Sequence, residues 1–298
     1  MRFIFGDDAA LAAYAAPARE RAAIWRTALG VFILLGCLVG ATVGIGIAFA
    51  TFSPERNPLG SINALATAEG TLFALATIAI WWPFLHLAML IANRRGLRSL
   101  FPPTQRRPAR LFLIGFAVAV GFGLLGLAFA GAISPIERSP LTIGEWLAWA
   151  PLGVALLLLQ TGAEEAVFRG YLLQQLAARF RGAWWAWALI PSVLFGALHF
   201  NPLAPGGAWV IVAVTTLGGF MLAVVTARTG GIAAAWGVHM GVNTMALLIV
   251  GPPDYLSGLS LWRLTEDETT LDRLALFDFF FIAAAGLAAA WWFRPKTR

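Results

Sequence analysis

Apolar runs long enough to cross a bilayer recur along almost the whole chain, and nothing else in the sequence constrains its fold as tightly. A transmembrane helix needs about 20 such residues at a rise of roughly 1.5 Å each. Runs at 27–52, 66–92, 111–133, 145–178, 184–199, 208–227, 232–250 and 274–293 predict about eight membrane-spanning helices, and hence an all-α polytopic membrane protein. Of 298 residues, 59% are hydrophobic and 12% charged. That is about half the charged fraction of a soluble domain. No separate soluble domain and no repeat of 20–50 residues is visible.

The formal charge is +6, and Lys296 is the only lysine. Nucleic-acid binding does not account for this charge, because the arginines sit in short loops between spans, where topology places them. Basic segments (the N-terminus, 93–110, 179–183, Arg228 and the C-terminus) alternate with neutral or acidic ones (53–65, 134–145, 200–207 and 251–272). Eight spans with both termini cytoplasmic satisfy the positive-inside rule at every loop. The N-terminus carries Asp7 and Asp8 and lacks the pattern of a removable signal peptide. The expectation is an integral protein of a bacterial inner membrane. It divides into an interfacial segment (1–26), spans one to three (27–144), a core of spans four to seven (145–250), and an acidic loop, eighth span and basic tail (251–298).

Several features read as structural. Cys37 is a lone cysteine inside an apolar run, so there is no disulfide framework and no thiolate metal site. Gly36, Gly40 and Gly44 recur every four residues, a spacing that lets a second helix approach closely. His86, Trp81 and Trp82 suit packing or an interface. The loop with Arg94, Arg95, Arg98, Arg106, Arg107 and Arg110 is expected to face anionic lipid.

The stretch QTGAEEAVFRGYLLQQ, residues 160–175, does not fit that pattern. Each charge near the middle of a bilayer costs roughly 2.5–3.5 kcal/mol, so such charges face a protein interior or a wet cavity. Glu165 and Arg169 are four apart, share a helix face and can neutralise one another. Glu164 lies about 100° round the helix and is the free carboxylate. The fourth span is longer than a bilayer needs, so it is tilted, projects into the cytoplasm, or breaks near Thr161-Gly162. Taken alone, the three charges also admit a structural network between helices.

Two other spans carry polar side chains. The fifth ends in SVLFGALHF, where Phe195 stands four before His199 and can brace its imidazole; the seventh contains GVHMGVNTM, where His239 and Asn243 share a face. Helical rise puts Glu164 and His199 each ~25 Å from the turn near Arg181, while His239 and Asn243 lie ~13 and ~20 Å from Gly230. A pocket lined by Glu164, His199, His239 and Asn243 is geometrically consistent with these depths. A carboxylate beside an imidazole can take a proton from water. A histidine and an asparagine can donate to the oxyanion formed when water attacks a carbonyl. With no nucleophilic serine, threonine or cysteine in these motifs, hydrolysis of an amide by activated water is the economical chemistry. Glu164, His199 and His239 would also make a His-His-Glu set for zinc or another divalent metal. The compact His-Glu-x-x-His signature is absent. A reaction needing no cofactor is favoured, with the metal question left open.

The pair Glu164-Glu165 followed by Arg169, then Phe195…His199, then His239…Asn243, resembles in order and spacing the three motifs of the CAAX prenyl endopeptidase and bacteriocin-processing family of intramembrane proteases. The likeness covers about residues 145–250. It implies an eight-helix intramembrane endopeptidase in which Glu164 and His199 activate water. His239 and Asn243 would hold the oxyanion, and Glu165 and Arg169 would support the site. The substrate implied is a membrane-associated protein or peptide; the arginine-rich, lysine-poor composition points to a bacterial source and away from a prenylated one. The competing reading from another class is a non-enzymatic scaffold, immunity factor or transporter that uses the polar cluster for binding or proton movement.

Overall fold

The computed structural model describes residues 8–52, 65–133, 136–200, 208–251 and 256–264. The eighth span expected at 274–293, most of the acidic loop and the basic tail lie outside the described residues. Eight helices follow in order: α1 (Asp8–Ala15), α2 (Ile24–Phe52), α3 (Ala68–Asn93), α4 (Pro108–Ile133), α5 (Ile143–Arg179), α6 (Trp185–Ala197), α7 (Ala208–Thr229) and α8 (Ala233–Ile249). Among the described residues, α2, α3, α4, α5 and α7 are long and apolar enough to cross a membrane, while α6 and α8 are shorter apolar helices. The protein is an all-α integral membrane protein. Large apolar side chains such as Phe32, Val39, Leu125, Leu147 and Trp209 stand on its outer surface, as lipid-facing positions must.

Local chemistry accounts for the helix ends and bends. Thr142 and Glu145 form a reciprocal capping box, with bonds of 3.2 and 2.9 Å, that starts α5. Thr67 caps α3 through the Gly70 N–H. Pro83 has no N–H for the preceding turn, and α3 opens at Ile80 accordingly. The 37-residue α5 does not break at Thr161-Gly162. It changes register further on, to a π-helix over Ala166–Leu172, before resuming as α-helix over Leu173–Arg179.

α5 is the centre of the molecule, and every residue from 160 to 177 is buried. Indole N–H groups clamp it just ahead of the glutamates. Trp82 donates to the Leu159 carbonyl at 3.0 Å, and Trp236 donates to Leu158 at 3.1 Å and to the Thr161 hydroxyl at 3.2 Å. A Cβ on Gly162 would overlap the Trp236 ring and crowd that of Trp82.

The close helix approach expected at Gly36, Gly40 and Gly44 is not found among the described residues. Nothing among the described residues lies within 4 Å of where their Cβ atoms would stand. α2 buries Thr27, Gly30 and Leu34, while beyond them Leu38 packs on the core and Phe49 meets Phe73 edge-on at 5.8 Å. The intimate crossing is instead α4 against α8. There a Cβ on Gly237 would overlap the Phe112 carbonyl, and one on Gly241 would overlap Ala119 and the Phe116 carbonyl. Gly237 and Gly241 share a face, while His239 lies two residues from each, about 200° round the helix. Packing the small face on α4 therefore turns His239 the other way, toward α5.

Among the described residues, basic segments from the N-terminal region, 93–110 and the end of α5 meet at one end, where Asn93 donates to the Arg21 carbonyl and Arg95 to Gln174. Arg95 is the exception to their expected exposure to lipid. It turns inward and donates to Ser99 Oγ (3.0 Å), Gln174 Oε1 (2.6 Å) and Gln175 Oε1 (3.3 Å). Burial among these neutral acceptors pushes its guanidinium down to about 10. His86 accepts a 3.4 Å bond from the Leu97 N–H, a packing role. At the other end a three-stranded sheet in the order β1-β3-β2 ties the loops together: β1 (Ile136–Arg138), β2 (Val250–Gly251) and β3 (Trp262–Leu264). β1 pairs antiparallel and β2 parallel to β3. Trp146 on α5 donates to the Leu248 and Leu259 carbonyls beside it.

Candidate active site

Three helices bring the polar residues together. Glu164, Glu165 and Arg169 come from α5, Phe195 and His199 from the end of α6, and His239 and Asn243 from α8. Glu165 and Arg169 form the expected i,i+4 pair at 2.9 Å, and both are essentially inaccessible to solvent at 0% and 1% exposure. The same carboxylate oxygen, Glu165 Oε1, also receives His239 Nδ1 at 2.9 Å. A carboxylate only accepts, so this bond places a proton on Nδ1. The other ring nitrogen, Nε2, lies 3.3 Å from Glu164 Oε2. The imidazole of His239 thus spans the two neighbouring carboxylates.

That bridge changes two expectations. Glu164 does not stand apart from the pair; it is joined to it through His239. The offset in depth between positions 164 and 239 inferred from helical rise is closed, because His239 reaches both glutamates. Glu164 keeps one distinguishing property. Its Oε2 is buried and makes no hydrogen bond among the described residues, His239 Nε2 lying 3.3 Å away without hydrogen-bond geometry.

His199 is placed differently from the expectation. α6 ends at Ala197, so His199 sits in the closing turn, where its N–H bonds to the Gly196 carbonyl at 2.9 Å. Its Nδ1 meets the Phe195 carbonyl at 2.8 Å, one of the carbonyls left open by the helix end. A carbonyl cannot donate, so Nδ1 carries the proton, and in the neutral ring Nε2 is the basic nitrogen. No hydrogen bond or ion pair joins His199 to Glu164 among the described residues. Phe195 braces both imidazoles, with ring centroids 4.7 Å from His199 and 5.8 Å from His239. It also lies 4.4 Å under the Arg169 guanidinium. α7 can pass over this cluster because Gly219 has no side chain; a Cβ there would stand 2.9 Å from Arg169 Nη2.

Asn243 is half-buried and donates to Gln160 Oε1 at 3.2 Å, which leaves its second amide N–H uncommitted. Gln160 had no assigned role in the sequence, although a glutamine one turn before a glutamate pair in an apolar span is itself a signal. Tyr14 was missed more completely. It reaches across from α1 to donate to the Arg169 carbonyl at 3.0 Å. As for a metal, Glu164 and His239 are in contact, but among the described residues no three His, Cys, Asp or Glu side chains are gathered so as to hold an ion.

Comparison with known proteins fits this arrangement. Residues 146–245, about a third of the chain, match the family described as type II CAAX prenyl endopeptidase Rce1-like. The uncharacterized protein YyaK of Bacillus subtilis (strain 168) is 28% identical over 229 residues, covering 72% of this chain and 73% of that protein. No solved structure matches the chain significantly. The matched segment begins beside the capping box of α5 and ends just past Asn243, so it encloses every polar residue gathered above except Tyr14. With the family match coinciding with a buried Glu164-Glu165-His239 cluster, residues 146–245 constitute a domain of the Rce1-like type II CAAX prenyl endopeptidase family, a family of proteases, set in an integral membrane protein.

Proposed function

We propose that the protein is an intramembrane endopeptidase that hydrolyses a peptide bond of a membrane-associated protein or peptide with water activated by Glu164. The observation that supports this most directly is the unpartnered Glu164 oxygen held 3.3 Å from His239 Nε2, beside a Glu165 already committed to Arg169 and His239 Nδ1. Arg169 and His239 Nδ1 both occupy Glu165 Oε1, and Glu164, which has no such donors, is left as the base.

In this reading Glu164 takes a proton as water adds to the scissile carbonyl, and passes it to the leaving amine when the C–N bond breaks. The products are one carboxylic acid and one amine, so atoms and charge balance without a covalent enzyme intermediate. The basic Nε2 of neutral His199 is a second acceptor for water on the α6 side. The free amide N–H of Asn243 is suited to donate to the oxyanion. His239 then has a double duty, orienting Glu164 and holding Glu165, rather than serving the oxyanion alone.

The test is cleavage of a fluorogenic membrane-anchored peptide by purified protein in proteoliposomes. His239→Ala is expected to lower turnover by about 10²–10³. Cleavage by that variant at the wild-type rate would overturn the proposal. Since the described donors do not form a metal set, dialysis against a chelator is expected to leave turnover unchanged; recovery of lost activity on adding back zinc would instead make the ion part of the site.

A further inference from the structure

The sequence places α1 within an interfacial segment. It is instead docked in the interior. Leu11, Tyr14 and Ala15 of α1 are buried with Leu173, Leu176 and Ala177 of α5, Trp187 and Ala188 of α6, Ala223, Val224 and Ala227 of α7, and Ile232 at the head of α8. The segment thus shares one buried core with the helices that carry or back the site. At its centre the Tyr14 side chain, with no exposed surface, points its hydroxyl at the carbonyl of Arg169.

That carbonyl is unusual. It belongs to the π-helical stretch of α5, where the Leu173 N–H bonds to the Gly170 and Phe168 carbonyls and not to that of Arg169 between them. Such register changes cost regular hydrogen bonding and occur at functional sites more often than chance. A buried carbonyl without its i,i+4 donor is costly to leave unpaired, so a donor from outside the helix is a means of keeping this register. The residue whose carbonyl is held is the one whose guanidinium fixes Glu165 at 2.9 Å, and Glu165 fixes His239 Nδ1 at 2.9 Å. From the Tyr14 hydroxyl to the imidazole facing Glu164 the chain of contacts is unbroken. Burial also raises the Tyr14 phenol well above its usual range, so the hydroxyl remains a donor at any working pH.

We infer that Tyr14 is a positioning residue for the Glu164–His239 site, acting through the Arg169 carbonyl and the π-helical turn of α5, so that the N-terminal helix is part of the working enzyme. The inference rests on the protease reading for its kinetic consequence but not for its structural one. Tyr14→Phe removes only the hydroxyl and keeps the ring that fills the core. Leu11→Ala loosens the same helix without touching that bond, and serves as the control.

The chain has three histidines, His86, His199 and His239. Protein labelled with ¹⁵N-histidine and carrying no histidine tag therefore gives three assignable imidazoles. In Tyr14→Phe the His239 ring signals are expected to shift while those of His86, which bonds to Leu97 at the end of α3, stay in place. Turnover of the reporter is expected to fall about ten-fold in kcat with KM unchanged, the size of one lost hydrogen bond. Unmoved His239 signals in Tyr14→Phe would overturn the inference, as would an equal shift produced by Leu11→Ala. A wild-type protein that leaves the reporter intact would count against the protease reading alone, and the His239 signals would still decide the role of Tyr14.

Discussion

Glu164→Gln is expected to lower peptide cleavage by about 10²–10⁴ while leaving the fold intact, the contribution typical of a positioned general base. The substitution is nearly isosteric and keeps an oxygen or an amide facing His239 Nε2. The Glu164 oxygen makes no hydrogen bond that folding depends on, so thermal unfolding in detergent should move by no more than a degree or two. The expected signature is therefore a large loss of kcat at constant stability, measured on the same preparation by reporter turnover and by unfolding. Turnover within a few-fold of wild type would remove Glu164 from the mechanism. Glu165→Gln should behave differently, because its carboxylate is bonded to both Arg169 and His239. There stability and activity should fall together.

The second large effect is on stability. Arg169→Met leaves Glu165 buried at 0% exposure without its cation. Breaking a buried pair by removing one partner costs about 3–5 kcal/mol, because the remaining charge is uncompensated. His239 Nδ1 still reaches Glu165 and should hold the cost toward the lower end. Methionine keeps apolar bulk over the Phe195 ring, where the guanidinium now stacks at 4.4 Å, so the loss is one of charge more than of packing. The double variant Glu165→Gln with Arg169→Met removes both charges and should recover much of the stability, the non-additivity expected of contacting residues. Unfolding of all three proteins in one detergent checks this. A single Arg169 variant as stable as the wild type would show that the pair carries no such weight.

Much of this site could be read one residue at a time. Charges inside an apolar run are costly enough to demand an interior position, and the structure buries Glu164, Glu165 and Arg169. The i,i+4 rule paired Glu165 with Arg169 without knowledge of any other helix. It could not show that Glu165 has a second partner, since His239 comes from 74 residues further on. Nor could it show that the basic imidazole beside Glu164 belongs to α8 rather than to the end of α6. The glycines show a related limit. Spacing of four marks a face that admits close approach, and both α2 and α8 have one, but among the described residues α8 alone meets a neighbour there.

Residue order and elementary energetics were sufficient for the described membrane helices, for the buried acid-base pair and for the interior position of Glu164. They were sufficient because helical period and the cost of charge in hydrocarbon are local properties, legible within a single span. Which carboxylate faces which imidazole, the π-helical turn after Glu165 and the arrival of Tyr14 at the Arg169 carbonyl depend on how each helix is rotated and how deep it sits. Those quantities are set by contacts such as Gly237 and Gly241 on α4, between residues far apart in the chain, and no spacing along one helix encodes them.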